Sequence, residues 1–247
     1  MDTGKKVAIA GTLIVVAAVG IRVWMIHRER NAPIVAPKQA QTPKLSEDDL
    51  VFLKKKRPDS MADIKTLIGS KIWVSAGGQM DYYPFAGRRV EYNKKAGTLL
   101  GAEPLIVKDA VEQSAPKTAT FRIPGGDRQV SLVFTLPNSP DPAKEYAVPV
   151  GYRQDGQYTF YTDEIFFYDD PHQLYKHWGP EIWKAVDSHQ VIPGMSEREV
   201  QLALGQVSRS DSNDYGNREV VYANLGKPIA VTFKNDKATT IQPQQTF

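Results

Sequence analysis

The chain of 247 residues contains no cysteine. Disulfides, thiolate zinc sites, a cysteine nucleophile and a thioether-linked lipid anchor are therefore excluded. The excess of one sign of charge is also small, because 31 basic residues and 28 acidic ones leave a formal net charge of +3. Residues 1–30 hold five basic and two acidic residues and account for this surplus. The rest of the chain lacks the field that attracts phosphates, which argues against a nucleic-acid partner.

Several motifs of catalysis and nucleotide binding are missing as well. The sequence has no Gly-x-x-x-x-Gly-Lys-Ser/Thr loop, no Gly-x-Gly-x-x-Gly loop and no Gly-x-Ser-x-Gly elbow. Such loops hold phosphates or expose a nucleophilic serine. Ser188 and His189 are adjacent, and adjacent residues do not form a nucleophile and base pair without help. We therefore expect a globular protein with no catalytic residues, no cofactor and no metal of its own.

A long apolar run covers residues 7–26, and its 20 residues match a hydrocarbon thickness of about 30 Å. A cleaved signal peptide is the alternative, but no small-x-small cleavage site follows the run closely. Arg22 lies near the end of the run, where its side chain can reach the headgroups, and Trp24 suits the membrane interface. The sequence predicts an N-terminal transmembrane anchor within residues 1–30.

The orientation of this span is ambiguous by charge, since two lysines precede it and three arginines lie at or beyond its other end. A short tail before a first apolar segment acts most simply as an uncleaved signal, which exports the residues that follow. We therefore expect an exported body. Residues 31–45 contain three prolines among Ala, Gln and Lys, a composition typical of an extended linker.

Residues 46–170 are predicted to form a β-rich domain with short leading helices. Ser46 can cap a helix, with Asp49 at the capping-box position. The basic run 54–57 is interpreted as a solvated helix end rather than a phosphate or lipid site. Between residues 71 and 168 six short runs have a period of two and are separated by turn residues, with the clearest turn at 124–127. The runs are KIWVS, RRVEY, PLIVKD, TATFRI, QVSLVFTL and TFYTDEIFFY.

Residues 171–247 predict two helices and then three strands. Pro180 suits a first helical position, Ser196 and Glu199 form a capping box, and Gly205 ends the second helix. The strands are REVVYAN, PIAVTFKN and KATTIQ, with a turn at residues 235–236. The expected fold class is α+β, with a transmembrane helix, a small antiparallel β barrel or sandwich, and an ααβββ domain.

The segment IPGMSEREVQLALGQV, followed by VVYAN and VTFKNDKATTI, resembles the SmpA/OmlA-like family. The E component of the outer-membrane β-barrel assembly machine shares the fold of that family, two helices on a three-stranded sheet. The resemblance implies structural roles at ten positions, namely Gly194, Met195, Ser196, Glu199, Val200, Leu204, Gly205, Tyr222, Phe233 and Lys237. Members of the assembly-machine type need a lipid-modified cysteine, which this chain lacks. The resemblance and the helical anchor together imply a bacterial inner-membrane protein whose body faces the periplasm.

The segment WVSAGGQMDYYPF resembles the SH3-like barrels of bacterial envelope proteins through its aromatic and glycine-rich texture. Such barrels bind extended peptides or glycans in an aromatic groove. We expect Trp73, Tyr82, Tyr83 and Phe85 to form a partner-binding surface, with core packing as the alternative.

The motif YDDPHQLYKHW holds a cluster of potential metal ligands, Asp169, Asp170, His172 and His177. The two histidines are five residues apart and would lie about 140° apart on a helix, so a helical zinc site is disfavoured. The expected function is a membrane-anchored envelope protein that binds another envelope protein or a cell-wall polymer without catalysis. The alternative is an enzyme or metal-binding protein with its site at this cluster.

Overall fold

The computed structural model describes residues 19–28, 46–114, 116 and 128–244. The chain divides into two compact units, Met1–Leu45 and Ser46–Phe247. The predicted linker 31–45, the predicted strand 118–123 and the predicted turn 124–127 lie outside the described residues.

The transmembrane part of the predicted fold class requires correction. Within the ranges that the structure describes, no helix is both long and apolar enough to span a membrane. Residues 7–18 of the predicted span lie outside those ranges, and residues 19–28 are helical. Ten helical residues rise about 15 Å, half of a hydrocarbon core of about 30 Å, and these ten include Arg22 and Arg28.

The α+β class and the antiparallel pairing are confirmed by a nine-stranded sheet in the second unit. The sheet has the order β3-β2-β7-β6-β5-β1-β9, with β4 on β2 and β8 on β7. No ladder among the described residues joins β3 to β9, so an open sheet replaces the predicted barrel or sandwich. Its strands are β1 (Lys71–Val74), β2 (Asp81–Ala86), β3 (Arg89–Val90), β4 (Gly97–Thr98), β5 (Pro104–Ser114), β6 (Arg128–Thr135), β7 (Glu145–Gln154), β8 (Gln157–Phe160) and β9 (Phe166–Phe167).

Strand β7 lies inside this sheet, between β2 and β6, although its sequence contains Pro149 and Gly151. Proline cannot donate to a ladder and is normally found at edges or bulges. The β6–β7 register shifts between Val130 and Ser131, and Ser131 pairs with Pro149. This bulge accommodates the proline, and it explains why the sequence pattern did not predict the strand.

Five short α-helices and a second sheet complete the unit. The second sheet has the order β10-β11-β12-β13, so the predicted ααβββ domain contains a fourth strand. The extra strand, β10, is a short and polar VSRS edge with a register shift against β11, too brief to show a period in the sequence. The elements are α1 (Met61–Lys65), α2 (Thr162–Ile165), α3 (Pro171–Leu174), α4 (Pro180–Asp187), α5 (Glu197–Leu204), β10 (Val207–Ser210), β11 (Glu219–Tyr222), β12 (Ile229–Lys234) and β13 (Lys237–Pro243).

The local signals that predicted the C-terminal helices and hairpin are confirmed. Ser196 caps α5, and the Glu199 carboxylate accepts a hydrogen bond from the Ser196 backbone N–H at 2.7 Å. The β12–β13 turn has positive φ at Asn235 and Asp236, as a two-residue hairpin turn requires. The capping box at Ser46 is also present, but it begins a single 3₁₀ turn, Glu47–Leu50, and the basic run beyond it is not helical.

Two hydrophobic cores meet where glycines allow the backbones to touch. One core lies under the large sheet and the other between α4, α5 and the second sheet, with Phe167 of β9 contributing to the second. A Cβ on Gly101 would lie 1.9 Å from the Leu202 carbonyl oxygen. A Cβ on Gly205 would lie 2.4 Å from the Gly77 carbonyl oxygen. The loops of the large sheet therefore pack directly against the end of α5.

Candidate functional site

The structure does not bring the four predicted partner-binding aromatic residues together. Alternation along β2 places Tyr82 against the core that contains Phe134, while Tyr83 and Phe85 pack on the opposite face. Trp73 is on β1, which is separated from β2 by β5, β6 and β7. Any surface that includes Trp73 is therefore distinct from the one at Tyr83 and Phe85.

The predicted Asp and His cluster is divided among three places. Asp169 pairs with Lys54 at 2.9 Å. His177 contacts Asp48 at 2.5 Å, and the same carboxylate oxygen accepts from the Trp178 indole N–H at 2.8 Å. Asp170 and His172 line a cleft on another side of α3. Across the described parts of the chain, no three His, Asp or Glu residues are placed to hold a metal ion.

This cleft, of about 400 Å³, is the candidate functional site and lies between the large sheet and the helices. One wall comes from β1, from the start of β5 and from the loop after β6. The other wall comes from the start of α3 and the end of α4. A volume of this size falls in the range of small-ligand pockets. We name it the Trp73 cleft; its lining residues are Lys71, Trp73, Gly101, Ala102, Glu103, Pro104, Asn138, Asp170, His172, Asp187 and His189.

His172 is held between two carboxylates in the Trp73 cleft. Its Nδ1 lies 2.9 Å from Asp170 Oδ1, and its Nε2 lies 3.2 Å from both carboxylate oxygens of Asp187. The ring stacks on Trp183 with centroids 4.0 Å apart. Partial burial opposes protonation, but the hydrogen bonds and charges of Asp187 and Asp170 outweigh it and raise the pKa of His172. Both ring nitrogens are engaged, as in an imidazolium.

His189 and Glu103 show the opposite tendency, because burial disfavours the charged form of each. Burial lowers the pKa of His189, against a backbone hydrogen bond to Ala203 that favours the imidazolium. The His189 Nδ1 atom is buried and has no hydrogen-bond partner among the described residues. Burial raises the pKa of Glu103, against a hydrogen bond from the Leu100 backbone N–H. The cleft is thus lined by a histidine and a carboxyl group whose burial disfavours their charged forms.

The sheet-side wall of the Trp73 cleft combines an aromatic ring and a cation. Lys71 and Trp73 are two residues apart on β1, so their side chains leave the same face of the strand. The Lys71 ammonium lies 5.1 Å from the Trp73 ring centroid, within the range of a cation–π contact. With Asn138 in the loop after β6, this wall offers an apolar surface, a donor and an amide.

The residues of the motif that resembles the SmpA/OmlA-like family lie mainly in the core and at the boundaries of helices and strands. Met195 and Val200 are buried in the second core, together with Leu204, Tyr222 and Phe233. Gly194 and Gly205 both have positive φ, which favours glycine. The Tyr222 hydroxyl is buried without a hydrogen-bond partner in the described chain, and burial raises its pKa. Lys237 begins β13 and is exposed.

Several residues of the Trp73 cleft were not predicted from the sequence. Asp187 and His189 follow the last apolar residue of α4, and Glu103 and Asn138 are in loops with no motif around them. Asp170 caps α3 and Pro171 begins it: the Asp170 carboxylate accepts from the His172 backbone N–H at 3.0 Å. That cap fixes His172 at the entrance to α3.

Comparisons with protein-family models, curated proteins and solved structures found no match for this chain. The resemblances to the SmpA/OmlA-like family and to SH3-like barrels therefore stay predictions, and the site is interpreted from its own geometry.

Proposed function

We propose that this protein is a non-enzymatic binding module whose Trp73 cleft takes a hydroxyl-rich ligand, such as a sugar residue of a cell-wall polymer. The observation that supports the proposal is the cleft itself, which Trp73 lines together with several polar groups. A sugar ring has an apolar face of C–H groups and a rim of hydroxyls that both donate and accept. The cleft offers an aromatic side chain for the first and Lys71, Asn138 and Glu103 for the second.

Binding accounts for the charged groups of the cleft better than catalysis does. A catalytic base needs a free nitrogen within reach of the proton that it takes. Both nitrogens of His172 face carboxylates of the chain itself. His189 keeps a free Nδ1, but the cleft contains no serine or threonine as a nucleophile for it to activate. The groups are arranged to order the walls of the cleft.

A cell-wall polymer is the member of the expected partner pair that this geometry favours. A protein partner would need a larger apolar surface than the cleft provides, because the core of a protein interface is depleted of charged residues. The cleft instead contains three carboxyl groups, an ammonium group and two imidazoles. The envelope setting is part of the proposal and is supported by the sequence resemblance.

The test is a binding isotherm of the full chain on insoluble cell-wall polymer, with starch as the reference polymer. Trp73→Ala should weaken retention by about tenfold or more, as loss of an aromatic anchor does. Tyr83→Ala is the matched control, because it removes an aromatic residue of the same sequence-predicted group from another face. Thermal unfolding of both variants confirms that they are folded.

Two results would overturn the proposal. The first is a wild-type chain that binds no polysaccharide, and the second is retention that Tyr83→Ala reduces and a folded Trp73→Ala leaves unchanged.

A further inference from the structure

The segment after the first 3₁₀ turn exposes three large apolar side chains in a row of four residues. Phe52 is 91% exposed, Leu50 58% and Leu53 39%. Single exposed apolar residues are common on protein surfaces, but a contiguous group at one place marks an interaction surface. We name residues 47–57 the Phe52 segment.

The backbone on both sides of Phe52 is fixed to the body of the unit. Before it, the Asp48 carboxylate accepts from the Trp178 indole. After it, the backbone N–H groups of Lys56 and Arg57 donate to the two oxygens of Asp163, at 2.9 and 2.8 Å. Phe52 is therefore an aromatic side chain presented on a fixed backbone, and such a side chain loses little conformational entropy when a partner covers it.

A groove of about 360 Å³ lies beside this segment, and Leu53, Ser75, Arg198 and Gln201 are among its lining residues. Its other apolar walls are Phe167, Tyr175, Trp178, Leu202 and Tyr215. Tyr215 is 48% exposed. A projecting aromatic residue and a groove of about the right size to receive it are therefore next to each other on one surface.

The charges of the Phe52 segment have opposite signs on the two sides of Phe52. Residues 47–49 are Glu, Asp and Asp, residues 50–53 are apolar, and residues 54–57 are Lys, Lys, Lys and Arg. Asp48, Asp49 and Lys54 already pair within the chain, with His177, Arg198 and Asp169. Two copies related by a two-fold axis near Phe52 would therefore face each other through the outermost charges of the segment. Glu47 of one copy would then stand opposite Arg57 of the other. A two-fold interface requires this self-complementarity.

We propose that two copies of this chain associate about a two-fold axis at the Phe52 segment, each Phe52 entering the groove beside the other copy's Leu53. The surface is distinct from the Trp73 cleft, and the proposal does not depend on what the cleft binds. The occupant is a second copy because the projecting side chain, the groove and both charge partners belong to one surface of one chain.

The first test is sedimentation velocity of the full chain over a wide concentration range. Phe52→Asp should weaken the association by about tenfold or more, since it removes the central apolar anchor. Leu225→Asp is the matched control, because Leu225 is also exposed, at 58%, and lies outside the segment. Residues 1–45 are identical in all variants, so association through them contributes equally. A monomeric wild type, or equal losses in both variants, overturns the proposal.

The second test exchanges charge across the proposed axis. Glu47→Arg and Arg57→Glu should each weaken the association several-fold, because like charges then face each other. A mixture of the two variants, and a chain that carries both substitutions, should recover it, because opposite charges face each other again. Both residues are exposed. Failure of both combinations to recover the association excludes the two-fold arrangement, even if Phe52 contributes to binding something else.

Discussion

The most heavily buried charge among the described residues of the second unit belongs to Glu197, at 2% exposure. Its carboxylate accepts from the Arg218 guanidinium through Nη2 at 2.5 Å and Nε at 3.0 Å, and from the Gly216 backbone N–H at 2.8 Å. The pair fixes the loop between β10 and β11 against the start of α5. The sequence did not reveal it, since an acid in a first helical turn is normally solvated.

Removing this carboxylate should therefore be costly. Glu197→Ala removes the acceptor of Arg218 Nε and Nη2 and of the Gly216 N–H, while Arg218 Nη1 keeps its bond to the Ser212 carbonyl. Because Arg218 is partly exposed, we expect the free energy of unfolding to fall by about 2–3 kcal/mol. Urea unfolding measures it. Glu181→Ala, at an exposed position in the first turn of α4, should change stability by no more than about 1 kcal/mol. Equal losses would mean that the buried ion pair does not stabilise this loop.

The pH dependence of stability should report on His172. Because the pKa of His172 is raised in the folded state, its stabilising contribution is complete below its ordinary value of 6.5 and is lost as the pH rises through the raised value. The stability difference between the wild type and His172→Gln should thus shrink from pH 6 to pH 9. A partly exposed ion pair limits the change to about 1 kcal/mol. Urea midpoints of both proteins across this range measure the stability difference. A difference that grows with pH would contradict the placement of His172 between Asp170 and Asp187.

At the scale of elements, the sequence predicted best where the signal was local. The local signals are the capping box of Ser196 and Glu199, the proline at the start of α4 and the turn at residues 235–236. Each depends on only a few neighbouring residues, and each is present as predicted. Strand β7 was missed because its Pro149 is tolerated through a bulge that only the partner strand β6 reveals. The end of β8, the helix α2 and the strand β9 were predicted as one strand, because turn residues inside an apolar run do not show where a strand stops.

The contact between α5 and the loops of the large sheet gives a test at this scale. Gly205→Ala introduces a Cβ at a positive φ of 83° and also against the Gly77 carbonyl. Gly194→Ala also introduces a Cβ at a positive φ, of 89°, but no atom lies within 4 Å of the new Cβ. Overpacking typically costs about 1–3 kcal/mol, so Gly205→Ala should be less stable than Gly194→Ala by that amount. Thermal unfolding compares them, and equal losses would mean that the two cores are not in close contact at this point.

At the scale of the whole molecule, sequence reasoning found parts of the site but not its composition. The sequence grouped Trp73 with Tyr82 and Tyr83, its neighbours in the sequence, in one predicted partner-binding surface. It grouped His172 with His177 in one cluster of potential metal ligands. The sheet order separates the first group, and the turn at α3 separates the second. Trp73 and His172 instead line one cleft, because β1 and the ends of α3 and α4 meet there. A juxtaposition across 99 residues leaves no trace in spacing or periodicity.

The central claim is that the Trp73 cleft binds a sugar, and chemical-shift mapping tests it most directly. The full chain, labelled with ¹⁵N, is titrated with a soluble oligosaccharide released from cell-wall polymer. The proposal predicts saturable shifts of the Trp73 indole N–H and the Asn138 side-chain amide, with the backbone around Tyr83 and Phe85 unaffected. No shifts at high oligosaccharide concentration, or shifts confined to Tyr83 and Phe85, would contradict it.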